Sequence, residues 1–247
     1  MNRICTRVSV AAAAAVGTAL APLSASAYDL TTLGNLTQHE FRLLSEDLGG
    51  ALSYKPITPT EALGVTGFDI GAALSGTQLK NAVLLSKAAN GASVRTTAPL
   101  LSLHADKGLP FNIDIGGSYT MVPGTDIKAF GGEVRWAFLP GTTLVPAVGV
   151  RLSGTKLTGV DQLDFSTYGA DISVSKGFAI FTPYAGVGEV FVKSTPNGAA
   201  AATLTSEKFN QAKLYAGVNI NLGVNLAFEY DNTGSINTVS AKVGFRF

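Results

Sequence analysis

Lys213-Leu-Tyr-Ala-Gly-Val-Asn-Ile-Asn-Leu222 alternates without a break. Leu214, Ala216, Val218, Ile220 and Leu222 fall on one face, and Lys213, Tyr215, Gly217, Asn219 and Asn221 on the other. A period of two is the mark of an extended strand, whose successive side chains point to opposite sides. Crossing hydrocarbon takes a tilted strand of about 9–11 residues, whereas strands of ordinary globular sheets average about 5–6. This stretch has the longer length. The same alternation appears in Phe111-Asn-Ile-Asp-Ile-Gly-Gly-Ser-Tyr119, with Phe111, Ile113, Ile115 and Tyr119 on one side. It recurs around Leu144, Pro146, Val148, Val150 and Leu152, and in the last residues, where Val239, Ala241, Val243, Phe245 and Phe247 oppose Ser240, Lys242, Gly244 and Arg246. The pattern predicts ten strands, over 62–75, 95–106, 110–121, 125–138, 142–154, 161–175, 181–193, 208–222, 224–232 and 238–247. Residues 51–57 offer one further extended stretch, so eight or twelve strands stand as alternatives.

Composition leaves few other classes. Of 247 residues only 14% are charged, and the mean hydropathy of +0.28 is high for a soluble chain. Past residue 27 no run of 18 apolar residues occurs, which excludes a helical span there. The 28 glycines argue against a helical bundle. A soluble all-β sandwich and a lipid-facing barrel remain, and ten long strands in series favour the second. The expected fold is all-β: a transmembrane, antiparallel, up-and-down β-barrel over residues 62–247, preceded by a short amphipathic helix. Threaded from a periplasmic start, the outside loops fall at 76–94, 122–124, 155–160, 194–207 and 233–237. The inside turns fall at 107–109, 139–141, 176–180 and Gly223. All but 122–124 of the outside loops exceed the turns or match the longest of them, as bacterial barrels require. Outward aromatics sort the same way. Phe111, Trp136, Phe138, Tyr184, Phe245 and Phe247 lie near the periplasmic edge, and Tyr119, Phe130, Tyr168 and Tyr230 near the outer edge, as two interfacial belts would.

The first 27 residues read as a secretory signal peptide: Arg3 and Arg7, an apolar stretch from Val8 to about Ala21, and Ala25-Ser26-Ala27 ahead of cleavage at Tyr28. Cleavage removes Cys5, the sole cysteine, and leaves a chain close to neutral. That excludes a disulfide framework, a thiolate metal site, a lipid-modified N-terminal cysteine and a basic nucleic-acid surface. Residues 28–61 are expected to be a periplasmic segment. Within it Thr37-Gln38-His39-Glu40 forms a capping box, Phe41, Leu44 and Leu48 make one apolar face, and Gly49-Gly50 stops the helix. This helix is a candidate plug for the periplasmic opening, or lies on the membrane surface. The apolar cluster at 79–89 (LKNAVLLSKAA) is expected to fold into the barrel mouth or dip into the outer leaflet.

With these features the chain resembles a Gram-negative outer-membrane β-barrel protein. The resemblance rests on the signal peptide, the ten alternating segments and the terminal Thr238-Val-Ser-Ala-Lys-Val-Gly-Phe-Arg-Phe247, which is similar to the C-terminal strand signal of that class. It covers nearly all of the chain after residue 27. It implies residence in the cell outer membrane, contact with its lipid, and recognition by the barrel-assembly machinery through the strand ending in Phe247. A helix ahead of a barrel is also loosely similar to the plug of fatty-acid transport barrels, which are much longer.

If the apolar faces meet lipid, the alternate positions line the lumen. The acids there are Asp69, Asp106, Asp114, Glu133, Asp171, Glu189, Glu229 and Asp231, and the bases are Arg135, Arg151, Lys213, Lys242 and Arg246, with His104 among them. A barrel this narrow is nearly filled by its own side chains, so opposite charges are expected to pair across it. Val65, Val187, Phe191 and Tyr215 are expected to face inward as packing or as an apolar pocket.

Catalytic chemistry has little to work with. Ser102, His104 and Asp106 share one face, but same-face neighbours lie about 7 Å apart, too far for a relay unless the side chains converge. His39 sits on the polar side of the helix. No zinc, calcium, phosphate-loop or nucleophile-elbow spacing occurs, so no metal, no cofactor and no enzyme activity are expected. Gly186-Val-Gly188 belongs to a strand, where glycine relieves crowding. Two functions remain. The leading one is a narrow channel or binding barrel for a small or amphipathic solute; the alternative is a closed structural or surface-interaction barrel.

Overall fold

Strands form wherever the alternation runs. The computed structural model describes residues 30–247, and the expected signal peptide falls outside the described residues. Ten strands follow one another: β1 (Phe68–Gln78), β2 (Thr97–Leu109), β3 (Ile113–Met121), β4 (Lys128–Leu139), β5 (Ala147–Thr158), β6 (Leu163–Ser175), β7 (Phe181–Pro196), β8 (Glu207–Asn221), β9 (Asn225–Thr233) and β10 (Ile236–Arg246). Each pairs antiparallel with the next, and β1 pairs with β10 from Asp69↔Arg246 to Gln78↔Asn237, so the sheet closes without a free edge. Closure matters physically, because hydrocarbon offers no partner to an unpaired backbone amide.

Side-chain direction follows the pleat. Ile70, Leu103, Ile115, Phe130, Val134, Leu152, Tyr168 and Leu214 stand exposed on the outer face. Asp69, Arg135, Arg151, Tyr215 and Glu229 are buried on the inner one. An apolar exterior around a polar interior is the arrangement of a barrel that spans lipid.

β1 starts later than expected, at Phe68. The chain turns at Gly64, which has φ +74, and Lys107 Nζ donates to the carbonyls of Val65 and Gly67. Residues 62–67 are therefore a turn into the barrel, and Val65 is exposed there instead of facing inward. β5 also starts late, after a turn in which Gly141 takes φ +80. Residues 51–57 do not form an eleventh strand.

The connections separate into two ends. One holds 110–112, 140–146, 176–180 and 222–224, here the turn end. The other holds 79–96, 122–127, 159–162, 197–206 and 234–235, here the loop end. The lengths are less unequal than the sequence led us to expect, and the bulk of the loop end comes from 79–96 and 197–206.

Among the described residues two α-helices accompany the barrel, α1 (Gln38–Leu52) and α2 (Ala82–Ala88). The expected capping box is present at Thr37 and Glu40. Gly49 and Gly50, however, do not end α1. A Cβ on Gly50 would collide with the Ile236 side chain, and one on Gly49 would press on Gln211 and Val192. Tertiary packing needs glycine at these helical positions, and that contact outweighs the cost of about 1 kcal/mol per helical glycine.

The position of α1 overturns a further expectation. The helix lies at the loop end, not in the opening at the turn end. Phe41, Leu44 and Leu48 join Leu33, Leu85, Ala88, Val122, Leu163, Phe165, Val190 and Val192 in the main apolar cluster. The cluster at 79–89 folds into the same mouth as α2, burying Ala82, Leu85 and Ala88. From Ser53 the chain enters the bore and reaches the turn end near Leu63, beside the start of β1.

Candidate functional site: the occupied lumen

The inner wall is a ladder of charges set by strand register. Asp114, Arg135, Arg151 and Asp171 are direct cross-strand partners on β3, β4, β5 and β6. Two guanidinium groups face each other at the centre of that row, which is unfavourable unless a counter-charge intervenes. Glu133 supplies it: one carboxylate oxygen is 2.8 Å from Arg151 Nε and the other 3.7 Å from Arg135 Nη1. Asp114 closes one end at 2.6 Å from Arg135 Nη2. At the other, Asp171 lies 3.5 Å from Arg151 Nη1 and accepts the Tyr215 hydroxyl at 2.6 Å. Arg151 also donates to Tyr215 Oη at 3.2 Å. A second group lies on the β1–β10 seam, where Asp69 Oδ2 meets Lys242 Nζ at 3.0 Å and Arg246 Nη1 at 3.2 Å.

The N-terminal segment runs down this lined bore, engaging successive strands on the way. Lys55 Nζ donates to Asp231 Oδ1 at 2.6 Å and to the Gly50 carbonyl at 2.7 Å. Lys213, itself 3.5 Å from Asp231 Oδ2, donates to the Tyr54 carbonyl. Ile57 N–H donates to Glu229 Oε2 at 3.0 Å, an oxygen that also accepts the Tyr184 hydroxyl at 3.0 Å. Lower down, Arg246 Nη1 donates to Thr58 Oγ1 at 2.7 Å, and Thr60 pairs with Ser173 at 2.8 Å. Glu61 N–H donates to Ser175 and Leu63 N–H to Asp114, both at 3.1 Å. Ile57 packs between Ala73 and Ala227 in a small apolar contact within the lumen. These contacts satisfy the N–H groups of Ile57, Glu61 and Leu63 and the Tyr54 carbonyl inside the barrel, and Lys55 adds a cation to a wall richer in carboxylates.

Most inward assignments from the sequence agree with these directions. Asp69, His104, Asp106, Asp114, Glu133, Arg135, Arg151, Asp171, Lys213, Glu229, Asp231 and Lys242 are buried on the inner face, and Arg246 is partly buried there. β7 is the exception, reversed by one residue. Glu189, Val187 and Phe191 point outward, and Glu189 accepts from the outward amide of Asn210. Tyr184 points inward. The reason is that inward Val190 and Val192 pack on the α1 cluster, so β7 is apolar on both faces and its alternation loses its sign. Gly186 lies against the inward ring of Tyr215, and Gly217 against that of Tyr184, each where a Cβ would collide with the ring. Of the four apolar or aromatic residues expected inside, only Tyr215 is there.

The Ser102, His104 and Asp106 side chains do not form a relay. The Ser102 hydroxyl pairs with Thr120 at 2.9 Å. Neither ring nitrogen of His104 has a hydrogen-bond partner among the described residues, and the ring meets Tyr54 edge-on at 6.2 Å.

At the loop end α1 is tied to the loops by charge. Glu40 accepts from Lys87 Nζ at 2.8 Å and from Thr37 N–H at 2.7 Å. The Lys87 contact, followed by the amide, holds its carboxyl down at about 2. Asp47 accepts from Asn81 N–H at 2.7 Å, and burial pushes its pKa up against the lowering effect of that bond. Arg42 joins Glu46 at 2.8 Å and Glu207 at 3.3 Å, with its guanidinium 3.9 Å from the Phe209 ring centroid. The sequence carried no sign of the pairs that tie α1 to Lys87, Asn81 and Glu207. Lys55 was equally unmarked, lying in a stretch that read only as extended.

No protein-family model matches the chain, and no curated protein matches it. Solved structures do. The N-terminal β-barrel domain of Pseudomonas aeruginosa OprF aligns over 72% of this chain and 97% of its own, at 12% identity and a TM-score of 0.37. The KdgM porin, in complex with disordered oligogalacturonate, aligns over 73% and 99%, at 5% identity and a TM-score of 0.39. The attachment invasion locus protein Ail of Yersinia pestis, in complex with sucrose octasulfate, aligns over 73% and 97%, at 12% identity and a TM-score of 0.29. These neighbours are outer-membrane β-barrels, and they single out no specific family.

Proposed function

We propose that the chain is an outer-membrane barrel held closed by its own N-terminal segment, acting through the surface at its loop end and not by conducting solute. One observation carries this reading: residues 53–63 run along the bore and are hydrogen-bonded to β1, β3, β6, β8, β9 and β10 side chains on the way. The order of the two functions expected from the sequence is thereby reversed. A conduit needs a continuous track of free polar groups, and here, His104 and Asp106 excepted, the charged groups that would form it pair with one another or with the segment. Membrane placement is supported by the apolar outer face. Aromatic side chains at the turn end, including Trp136 beside Phe138 and Phe68 beside Phe247, would form the interfacial belt there. The strand ending in Phe247 is the part the assembly machinery would read.

Planar-bilayer recording of the refolded full chain tests the proposal, with folding checked by heat-modifiable electrophoretic mobility. Folded protein without steady conductance is the expected result. Steady single-channel steps from folded protein would overturn the closed reading and restore the channel.

A further inference from the structure

We infer that the barrel carries its own N-terminal chain through the lumen, so that residues 30–52 are held at the cell surface among the long loops.

The argument is one of topology. Both ends of the wall, Asp69 of β1 and Arg246 of β10, are partners at the turn end. Leu30 and the residues after it lie at the opposite end. Thr32 Oγ1 donates to the Ala88 carbonyl at 3.0 Å, and Leu33 N–H donates to Gln162 Oε1 at 3.1 Å. Gln38 exchanges hydrogen bonds with Thr205 in the loop between β7 and β8. Between the two ends the only path taken is the bore, marked by Lys55 at Asp231, Ile57 at Glu229, Thr60 at Ser173 and Leu63 at Asp114.

A closed ten-strand wall has no seam through which the segment could later move sideways. The sheet closes round the segment, or the segment is drawn along the bore. Either way the chain from Leu30 to Leu52 finishes at the loop end. There the anchor holds it. Leu33 and Phe41 are fully buried, and α1 packs through Gly49 and Gly50 against Val192 of β7, Gln211 of β8 and Ile236 of β10. The barrel thus acts as a carrier that fixes an N-terminal segment at the cell surface, an activity separate from whether it conducts.

Cysteine accessibility tests this in the full chain. Asn35→Cys and His39→Cys sit on exposed positions of the N-terminal segment, Thr205→Cys marks the loop end, and Leu144→Cys marks the turn end. Intact cells are treated with a membrane-impermeant maleimide, beside cells bearing the unsubstituted chain, and each variant is first checked for heat-modifiable mobility. N35C and H39C are expected to react in intact cells as fully as T205C, while L144C reacts only after the envelope is permeabilised. Reaction of N35C and H39C only after permeabilisation, or only after denaturation, would overturn the inference, whichever loop reacts with them.

Discussion

Arg135 shows what single residues contribute to this lumen. Its side chain is fully buried between Asp114 and Glu133, and the partner directly opposite is another arginine. Removing one member of such a set leaves buried charge uncompensated, which costs about 3–5 kcal/mol. Arg135→Met is therefore expected to lower stability by about that amount in urea titrations of the lipid-reconstituted protein, without producing conductance. A variant that conducts at unchanged stability would place Arg135 on an ion path instead. At this scale the sequence was informative about direction: charged residues alternating with apolar ones can only face a polar interior when the other face meets lipid. It was silent about partners, because pairing depends on register, and register is fixed by the whole closed sheet.

Among the elements, α1 is the one whose role changed most. Its capping box and its apolar face, Phe41, Leu44 and Leu48, were legible because both are local, set by residues three and four apart. Its length and place were not, because Gly49-Gly50 reads as a stop unless Ile236 is known to lie against it. Phe41 is fully buried in the loop-end cluster, so Phe41→Ala is expected to cost about 3–5 kcal/mol of docking energy. The measurement is protease cleavage between residues 30 and 52, which should become fast while the strands stay protected; unchanged protection would show that the cluster does not hold the helix. Acid should loosen the same element. Glu40 titrates at about 2 in the docked state against 4.5 in a free chain. A carboxyl with a depressed pKa stabilises docking above its free value and loses that contribution as the pH falls from 4.5 to about 2. Asp47, with its pKa raised by burial, acts in the opposite direction, since its neutral form is the one burial tolerates better. The mobility of a fluorophore at Asn35→Cys is expected to rise as the pH falls through that window, and Glu40→Gln should raise mobility already at neutral pH. A flat response in both proteins would remove the Glu40–Lys87 tie from the account.

For the molecule as a whole, the bore holds chain that belongs to no strand. A chain beginning at Ala62 lacks α1 and the whole of 53–61, and leaves Asp231, Glu229 and Asp69 without their segment partners. Water is expected to replace them, because an unpaired buried charge is far costlier than a hydrated one. Folded barrel of this kind should show steady conductance where the full chain shows none. Silence from it, with heat-modifiable mobility intact, would mean that the wall side chains alone fill the lumen. Starting instead at Ala51 would retain the residues that occupy the bore, so it should remain closed.

The sequence by itself determined the barrel: its long alternating strands, their apolar outer face and, outside β7 and Val65, which side chains point inward. Each of these follows from a period of two and from the rule that lipid accepts only a closed sheet, both of which act along the chain. Only the tertiary structure decided where the N-terminal segment goes, because nothing local distinguishes a helix at one mouth from a helix at the other. That choice is made by contacts over 100 residues or more, such as Lys55 with Asp231, Ser45 with Ser194 and α1 with the loop-end cluster. They exist only once the ten strands have closed around the lumen. The reversal of β7 has the same origin, since a strand reads as two-sided only when one side has lipid and the other has water, and β7 has apolar neighbours on both.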